Sequence, residues 1–363
     1  MITAIFLLLA AAVVAVLEYY WANYGLRALR YQGEIDRILA EPDEVIALRS
    51  TVENHSFLPI PFARLHISMP WEAKFCERQH WIDHHCSTNF QTVMVEEKMS
   101  LKPRTAMTSE VHVSFSKRGY YQLGKHTLSC GDLLGFRETY QHGTGKTVVI
   151  MPERSKQQVS LDALGGFLGD ISVRRFILED PILTMGFRDY TGREPMKAIS
   201  WMRSATAGSL QVKQFDHTAE YHIIILLNTE GASKDEFEEC LRLTRTVCEK
   251  LEQKKMPYGF RTNGNLPGPV GKIFYMSEGL GYNHMRTILY GLGRADDTCF
   301  YSFRYLAERT LQHRNSNESY IIITPPLKGD ATATVRKLEN VVGNSLCILT
   351  ARPEKTEKKE VAQ

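Results

Sequence analysis

The chain has 363 residues, which is long enough for two ordinary domains. Its content of 43% hydrophobic and 23% charged residues is typical of a globular protein. The net charge is only +3 and the sequence has no basic stripe with interleaved aromatics, so nucleic acid is not an expected partner.

The first predicted element is an apolar segment at the N-terminus. Residues 2–17 are apolar apart from Thr3, and the aromatic run 19-YYW-21 follows Glu18. About 20 residues of helix span the hydrocarbon core of a bilayer, so the sequence predicts a transmembrane helix over residues 1–21. A cleaved signal peptide would need a basic region before the apolar run, and there is none.

The charges around this segment predict its orientation. No Lys or Arg precedes the apolar run, whereas arginines follow it. The positive-inside rule then places the rest of the chain in the cytoplasm, as part of a single-pass protein of the cell membrane. The seven cysteines are odd in number and irregularly spaced, which favours reduced thiols over a disulfide framework.

The next part of the chain changes its hydrophobic period. We interpret residues 22–42 as a juxtamembrane linker that ends near a proline. Alternation with a period of two follows in 44-EVIALRSTVEN-54, 63-ARLHISMP-70 and other short runs. The pattern predicts a β-sandwich-like all-β module over residues 43–152.

Residues 153–220 form a region without a clear period. It contains the glycine-rich run 165-GGFLGD-170, which we interpret as a flexible linker. The charged stretch 187-FRDYTGREPMKAISWMRSA-205 follows. Ile199 and Trp201 are two residues apart, so in a strand they would face the same side and pack inward.

Strands and helices alternate over residues 221–352. The continuous apolar run 222-HIIILLN-228 is typical of a strand that is buried on both faces. Apolar residues at helical spacing fill 234-KDEFEECLRLTRTVCEKLEQKK-255. The alternation predicts a doubly wound α/β domain, and the charged tail 353–363 is expected to be disordered.

Two short motifs suggest ligand sites. The run 143-GTGKT-147 lacks the first glycine of a Walker A loop and precedes a predicted strand, so we interpret it as a hairpin turn. The stretch 76-CERQHWIDHHC-86 offers Cys76, His80, His84 and Cys86 as zinc ligands. Because the usual Cys-x2-Cys half-site is missing, an exposed insertion loop is the preferred interpretation.

The loop after the first α/β strand is a third candidate site. Ligands gather at the carboxyl ends of strands in open α/β sheets. A von Willebrand factor A-type domain places Asp-x-Ser-x-Ser there to bind a divalent cation. Asn228, Glu230 and Ala232 occupy the three positions here, so we interpret the loop as a degenerate cation site and expect no metal and no cofactor.

The charged stretch carries a resemblance to a known family. Arg188-Asp189-Tyr190, Glu194-Pro195, Lys197, Ile199, Trp201 and Ser204-Ala205 resemble the signature of domain of unknown function family 58. The run 118-RGYYQLGKHTLSCGDLLGF-136 is similar to a hairpin of the same family. Arg193, Glu194, Lys197 and Thr206 depart from the signature, which indicates a divergent member.

The resemblance implies a C-terminal von Willebrand A-like domain and a MoxR-type AAA+ ATPase as partner. The expected fold is therefore an N-terminal transmembrane helix, a β-sandwich-like module and a C-terminal α/β von Willebrand A-like domain. The expected function is that of a membrane-anchored, non-enzymatic interaction module in chaperone-like assembly or cell-envelope processes, without a small-molecule substrate. The candidate partner surface comprises Arg188, Asp189, Tyr190, Arg193, Glu194, Lys197 and Trp201.

Two alternatives stay open at this point. One is a cation-dependent adhesion module that uses oxygens near Asn228 and Glu230. The other is a zinc-dependent enzyme with its metal between Cys76 and Cys86. No Gly-x-Ser-x-Gly or His-Glu-x-x-His motif supports a catalytic function.

Overall fold

The chain folds into two compact units, Met1–Glu153 and Arg154–Gln363. A computed structural model describes residues 2–76, 85–87, 92–131, 137–177, 180–192, 194–216, 222–314 and 317–352. These described residues form six β-sheets together with seven α-helices, so the protein is β-rich and built from several sheets.

The first unit begins with helix α1 (Ile2–Tyr20), which continues through a π-helical turn and a short 3-10 turn to Ala28. Among the described residues, no helix is both long enough and apolar enough to cross a membrane. The apolar stretch 2–17 extends about 24 Å before Glu18 interrupts it, whereas a bilayer's hydrocarbon core is about 30 Å thick. The predicted transmembrane helix over residues 1–21 is therefore wrong.

Twelve strands make up the rest of this unit as the structure describes it. They are β1 (Leu29–Ile35), β2 (Leu39–Ala40), β3 (Ile46–Asn54), β4 (Ile60–Pro70), β5 (Lys74–Phe75), β6 (His85–Ser87), β7 (Thr92–Leu101), β8 (Ala106–Ser114), β9 (Gly119–Leu123), β10 (Lys125–Gly131), β11 (Glu138–Gly143) and β12 (Lys146–Ile150). Three sheets result, with the strand orders β1-β3-β8-β5, β11-β10-β4-β7-β6 and β2-β12-β9.

The two larger sheets share one apolar core because their strands alternate in hydrophobicity. In β3, Ile46, Leu48 and Val52 are buried on one face, and in β4 the same holds for Leu65 and Ile67. These side chains belong to a single cluster of buried residues. Two antiparallel sheets whose inner faces are buried against each other form a sandwich. The alternation in β3 and β4 gives each strand one apolar face for this contact.

The second unit contains helices, a large mixed sheet and two short ribbons. Its elements are α2 (Gln158–Ile177), β13 (Asp180–Asp189), α3 (Trp201–Ala207), β14 (Gln211–Asp216), β15 (His222–Leu227), α4 (Lys234–Gln253), β16 (Tyr258–Thr262), β17 (Gly264–Asn265), β18 (Tyr275–Gly279), α5 (Tyr282–Arg294), β19 (Asp296–Cys299), α6 (Phe303–Gln312), β20 (Glu318–Thr324), α7 (Asp330–Val342) and β21 (Leu346–Thr350). Short 3-10 turns lie at Met196–Ala198 and Gly343–Ser345.

The large sheet has the strand order β18-β16-β15-β20-β21, in which β18 is antiparallel to β16 and the other neighbours are parallel. Ile224 and Leu226 of β15 and Tyr320 of β20 lie in one apolar cluster with side chains from α6 and α7. Strand β16 buries Tyr258 and Phe260, which alternate with Gly259 and Arg261 and so point to the other face.

The glycine-rich run at residues 165–170 lies inside α2, so its interpretation as a flexible linker is wrong. Leu164, Leu168 and Ile171 are fully buried. Their spacing of four and three residues places them on one helix face, and the burial of that face outweighs the low helix propensity of glycine.

Candidate functional site

The charged stretch forms a compact unit on the ribbon of β13 and β14, which pair in antiparallel fashion. The Tyr190 N–H donates to the Leu210 carbonyl at 2.8 Å, and the Ser200 N–H donates to the Gln211 carbonyl at 2.8 Å. The Ser204 hydroxyl accepts the Gln211 N–H at 2.8 Å and donates to the Ser200 carbonyl at 2.8 Å. These bonds fix α3 against the start of β14.

Glu194 organises the loop that follows β13. Its carboxylate accepts the Thr191 hydroxyl at 2.7 Å and the Thr191 N–H at 3.1 Å, and it pairs with Arg188 Nη1 at 2.7 Å. The hydrogen bond from the Thr191 hydroxyl is the largest of the causes that lower the pKa of Glu194 from 4.5 to about 2. Glu194 is thus committed to the loop's own conformation.

Asp189 is also engaged within the same segment. Its carboxylate accepts hydrogen bonds from the Ser209 hydroxyl at 3.1 Å and from the Gln211 side-chain amide. Both acidic residues of the predicted partner surface therefore bind neighbours along the chain. They therefore support the conformation of the loop.

Trp201 does not pack inward, and that part of the prediction is wrong. Ile199 is buried and forms a β-bridge to Val212, whereas α3 begins at Trp201. The side-chain period therefore changes from two residues to 3.6 residues between Ile199 and Trp201. The Trp201 side chain is 61% exposed. Its neighbour Met202 is 85% exposed and Met196 in the preceding 3-10 turn is 68% exposed.

Basic side chains accompany these exposed apolar ones. The guanidinium of Arg203 lies 5.0 Å from the centre of the Phe187 ring, and Phe187 is paired with Lys213 across the ribbon. Lys197 is exposed and forms no ion pair with any residue in the described ranges. We call Met196, Lys197, Trp201, Met202 and Arg203 the docking patch.

The structure thus places the predicted partner residues in two groups. Arg188, Asp189 and Glu194 support the loop, Tyr190 is half-buried, and Lys197 and Trp201 belong to the docking patch. Arg193 lies outside the described residues. Sequence reasoning missed the two methionines, although methionine beside an exposed tryptophan is a known feature of binding surfaces.

The degenerate cation site is a closed polar network at the ends of β15, β16 and β20. The Asn228 side-chain amide donates to the Thr324 hydroxyl at 3.0 Å. Asn263 donates to Asn228 Oδ1 at 2.8 Å, and its own Oδ1 accepts the Thr229 N–H at 2.9 Å. All four side chains are at least 97% buried. Amide N–H groups thus occupy the oxygens that a cation would need.

The other two positions of this loop are also accounted for. The Glu230 N–H donates to Asn228 Oδ1 at 3.0 Å, and the Glu230 carboxylate accepts the Phe303 N–H at 2.6 Å at the start of α6. A carboxylate at a helix N-terminus is stabilising because it satisfies a free amide and complements the helix dipole. Ala232 supplies no side-chain oxygen, so the loop stabilises the sheet and α6.

The zinc candidate falls largely outside the described residues. His80 and His84 are not described, and of Cys86 only the backbone is described, in β6. Cys76 is exposed. In the part of the chain that the structure describes, no group of three or more His, Cys, Asp or Glu side chains lies close enough to hold a metal ion.

The run 143-GTGKT-147 connects β11 with β12, which belong to different sheets. It is therefore a turn between sheets, and the hairpin interpretation is wrong. A strand follows the lysine, so no helix N-terminus is present there to bind a phosphate group.

No family model matches the chain, and no curated protein matches it either. Solved structures give partial matches, among them a CARDB domain, a cohesin module and a PapD-like domain. A CARDB domain from Pyrococcus furiosus shows 9% identity and a TM-score of 0.21, covering 34% of this chain and 90% of its own. A cohesin module from Clostridium perfringens shows 7% identity and a TM-score of 0.26, covering 34% and 96%. A PapD-like domain of a human protein shows 11% identity and a TM-score of 0.22, covering 34% and 85%.

These findings correct the expected fold class. The expected fold class, an N-terminal transmembrane helix followed by a β-sandwich-like module and a von Willebrand A-like domain, is wrong, because the described residues form a β-rich chain of several sheets in which no helix can cross a membrane. The resemblance to family 58 stays a prediction. The loop also has Asn228, Glu230 and Ala232 where von Willebrand A-type domains carry Asp, Ser and Ser, and the side-chain oxygens of Asn228 and Glu230 accept backbone or side-chain N–H groups. The chain is a multi-sheet, β-rich protein, and TM-scores this low carry no argument about its function.

Proposed function

We propose that the chain is a non-enzymatic protein-interaction module that binds a partner through the docking patch. The proposal rests on one observation: Trp201 and Met202 are exposed on a short helix that is rigidly held by backbone hydrogen bonds. Exposed aromatic and methionine side chains are enriched at the centres of protein interfaces, where they supply most of the binding energy. A rigid support reduces the entropy that is lost on binding.

The charges of the patch specify the chemistry of the partner. Asp189 and Glu194 are engaged within the loop, while Lys197 and Arg203 project from the same segment without an acidic partner among the described residues. We therefore propose a partner with an acidic surface around an apolar pocket. The resemblance to family 58 suggests a MoxR-type AAA+ ATPase, which stays a proposal.

The test is a binding measurement with the full chain and a purified MoxR-type ATPase that co-purifies with it from its native cells. We expect Trp201→Ala with Met202→Ala to weaken the affinity about 30-fold, since an interface hot spot contributes about 2 kcal/mol. Lys197→Glu should weaken it through charge reversal. Matched controls are Tyr282→Ala and Lys234→Glu, which change exposed residues elsewhere in the unit.

Two results would contradict the proposal. One is the recovery of no AAA+ ATPase with the wild-type chain, which removes the partner. The other is an equal affinity of the patch variants and the controls, which removes the surface. The location of the chain at a cell membrane stays a prediction, and cell fractionation with an antibody to the chain tests it.

A further inference from the structure

A cavity of about 720 Å³ lies on one face of the large sheet in the second unit. Its floor comes from β15, β16 and β20, and its walls come from the segment around β18 and from α6. The cavity exists because α6 and α7 cover the apolar face of β15 and β20 but leave the same face of β16 open. Its volume is in the range of about 300–1,000 Å³ that small-molecule sites occupy.

Aromatic rings line the walls of this cavity. Tyr301 lies between Phe274 and Tyr305, with ring centres 5.7 Å and 5.3 Å away. Tyr275 on the opposite wall is 65% exposed, and Tyr301 and Tyr305 are 43% and 47% exposed. Partly exposed rings on facing walls provide stacking surfaces for a planar ligand.

Two arginines add positive charge. The Arg261 guanidinium lies 5.2 Å from the centre of the Tyr275 ring, and Arg309 extends from α6. Neither forms an ion pair or a hydrogen bond with any residue in the described ranges. A guanidinium offers five N–H donors in a planar arrangement that matches a carboxylate or a phosphate.

The acidic residues of the cavity are already engaged. Glu318 is buried and accepts the Tyr320 hydroxyl, and Glu278 pairs with His222. Buried polar groups normally have a hydrogen-bond partner. The hydroxyl of Thr310, a residue that is only 1% exposed, has none among the described residues. Besides the two guanidinium groups, the site therefore contains one buried hydroxyl without a hydrogen-bond partner among the described residues, that of Thr310.

We propose that this cavity binds a small aromatic oxyanion, whose planar ring stacks on Tyr275, Tyr301 and Tyr305 and whose anionic group binds Arg261 and Arg309. Nucleoside monophosphates and aryl carboxylates both have this chemistry. The proposal is independent of the docking patch, and it replaces the expectation that the chain has no small-molecule ligand.

The test uses 1-anilinonaphthalene-8-sulfonate, a fluorescent aromatic sulfonate, with the full chain. We expect saturable binding that Arg261→Met with Arg309→Met weakens at least tenfold, because each arginine supplies charge-assisted hydrogen bonds. The matched control is Arg286→Met, since Arg286 is exposed and also lies over a tyrosine ring but outside the cavity. The neutral dye N-phenyl-1-naphthylamine should bind the wild type at least tenfold more weakly than the sulfonate does.

Competition identifies the kind of anion. Displacement of the dye by adenosine monophosphate indicates a phosphate ligand, and displacement by benzoate indicates a carboxylate ligand. If neither displaces it at millimolar concentration, or if the double arginine variant binds the dye as the wild type does, the proposal is overturned. If the double arginine variant has an altered melting temperature, Tyr305→Leu serves as a second variant. It keeps both arginines and removes a stacking ring, so we expect it to bind the dye more weakly than the wild type does.

Discussion

Replacing Asn263 with alanine tests whether the polar network at the strand ends is a stabilising structure. Asn263 is fully buried, and its side chain binds both the Thr229 N–H and Asn228 Oδ1. The substitution leaves the buried Thr229 N–H without its partner, whereas Asn228 Oδ1 loses one of its two donors and keeps the Glu230 N–H. An unsatisfied buried group costs about 1–3 kcal/mol and a lost hydrogen bond about 0.5–1.5 kcal/mol, so we expect the free energy of unfolding of the second unit to fall by about 1.5–4.5 kcal/mol.

The assay is urea denaturation of the full chain followed by hydrogen exchange, because the two units need not unfold together. Peptides that cover β15 and β16 report on the network, and the Thr229 amide should lose its protection first. The control is Asn283→Ala, which removes an exposed asparagine from α5. A loss no larger than that of the control, within about 0.5 kcal/mol, would refute the reasoning.

The same assay distinguishes the network from a working cation site. Asn228 Oδ1 accepts two N–H groups, and the Glu230 carboxylate caps α6. Because these oxygens are already occupied by donors, we expect millimolar magnesium or manganese to leave the wild-type unfolding midpoint unchanged. A rise in the midpoint with either ion would favour the alternative function as a cation-dependent adhesion module.

Three further predictions follow from buried or paired groups. The folded-state pKa of Glu194 is about 2, below its usual 4.5, so its stabilisation of the loop is complete above pH 4.5 and is lost as the pH falls towards 2. Amide hydrogen exchange of residues 187–197 at a series of pH values measures this loss. Burial raises the pKa of the Cys248 thiol to about 12, so at pH 8 a thiol reagent should label Cys76 in the native chain but not Cys248, as peptide mass spectrometry will show. Arg245→Met removes a fully buried guanidinium that binds Glu249 at 2.9 Å, while Glu249 keeps Arg154 as a partner at 2.7 Å. We therefore expect urea denaturation to show a loss of about 1.5–3 kcal/mol, and a loss near zero would contradict it.

Hydrophobic patterning predicted those elements whose burial is complete and regular. The run at 222–227 is β15 and is buried along nearly its whole length, while α4 buries Phe237, Leu241 and Cys248, which lie four and seven residues apart on one helix face. Helix α4 also begins with Ser233 and Glu236, which form a reciprocal capping box. In both segments the local signal and the tertiary environment require the same structure.

Local residue types misled the prediction where tertiary packing decides. Glycines at 165–170 indicated a linker, but the buried face of α2 follows from Leu164, Leu168 and Ile171, which lie four and three residues apart. That spacing is present in the sequence, so the glycines were given too much weight. For the N-terminal segment, the prediction gave too much weight to the apolar composition and too little to the length of the apolar run.

The position of Trp201 could not be deduced from periodicity alone. The segment from Ile199 to Trp201 contains both a β-bridge and the first residue of a helix, so neither period applies to all of it. The change from strand to helix occurs beside the hydrogen bond from the Ser200 N–H to the Gln211 carbonyl. This bond joins two different segments of the chain, so the local hydrophobic period does not predict it. The exposure of Trp201 therefore follows from its place at the start of α3, next to this contact.

The aromatic cavity shows why some sites have no sequence signature. Arg261, Tyr275, Tyr305 and Arg309 come from three separate elements and have no fixed spacing. Arg261 reaches the cavity only because Phe260 beside it is buried on the opposite face of β16, and a strand sends successive side chains to opposite faces. The chemistry of this site therefore arises from which part of the sheet α6 and α7 leave uncovered, and that is a property of the fold as a whole.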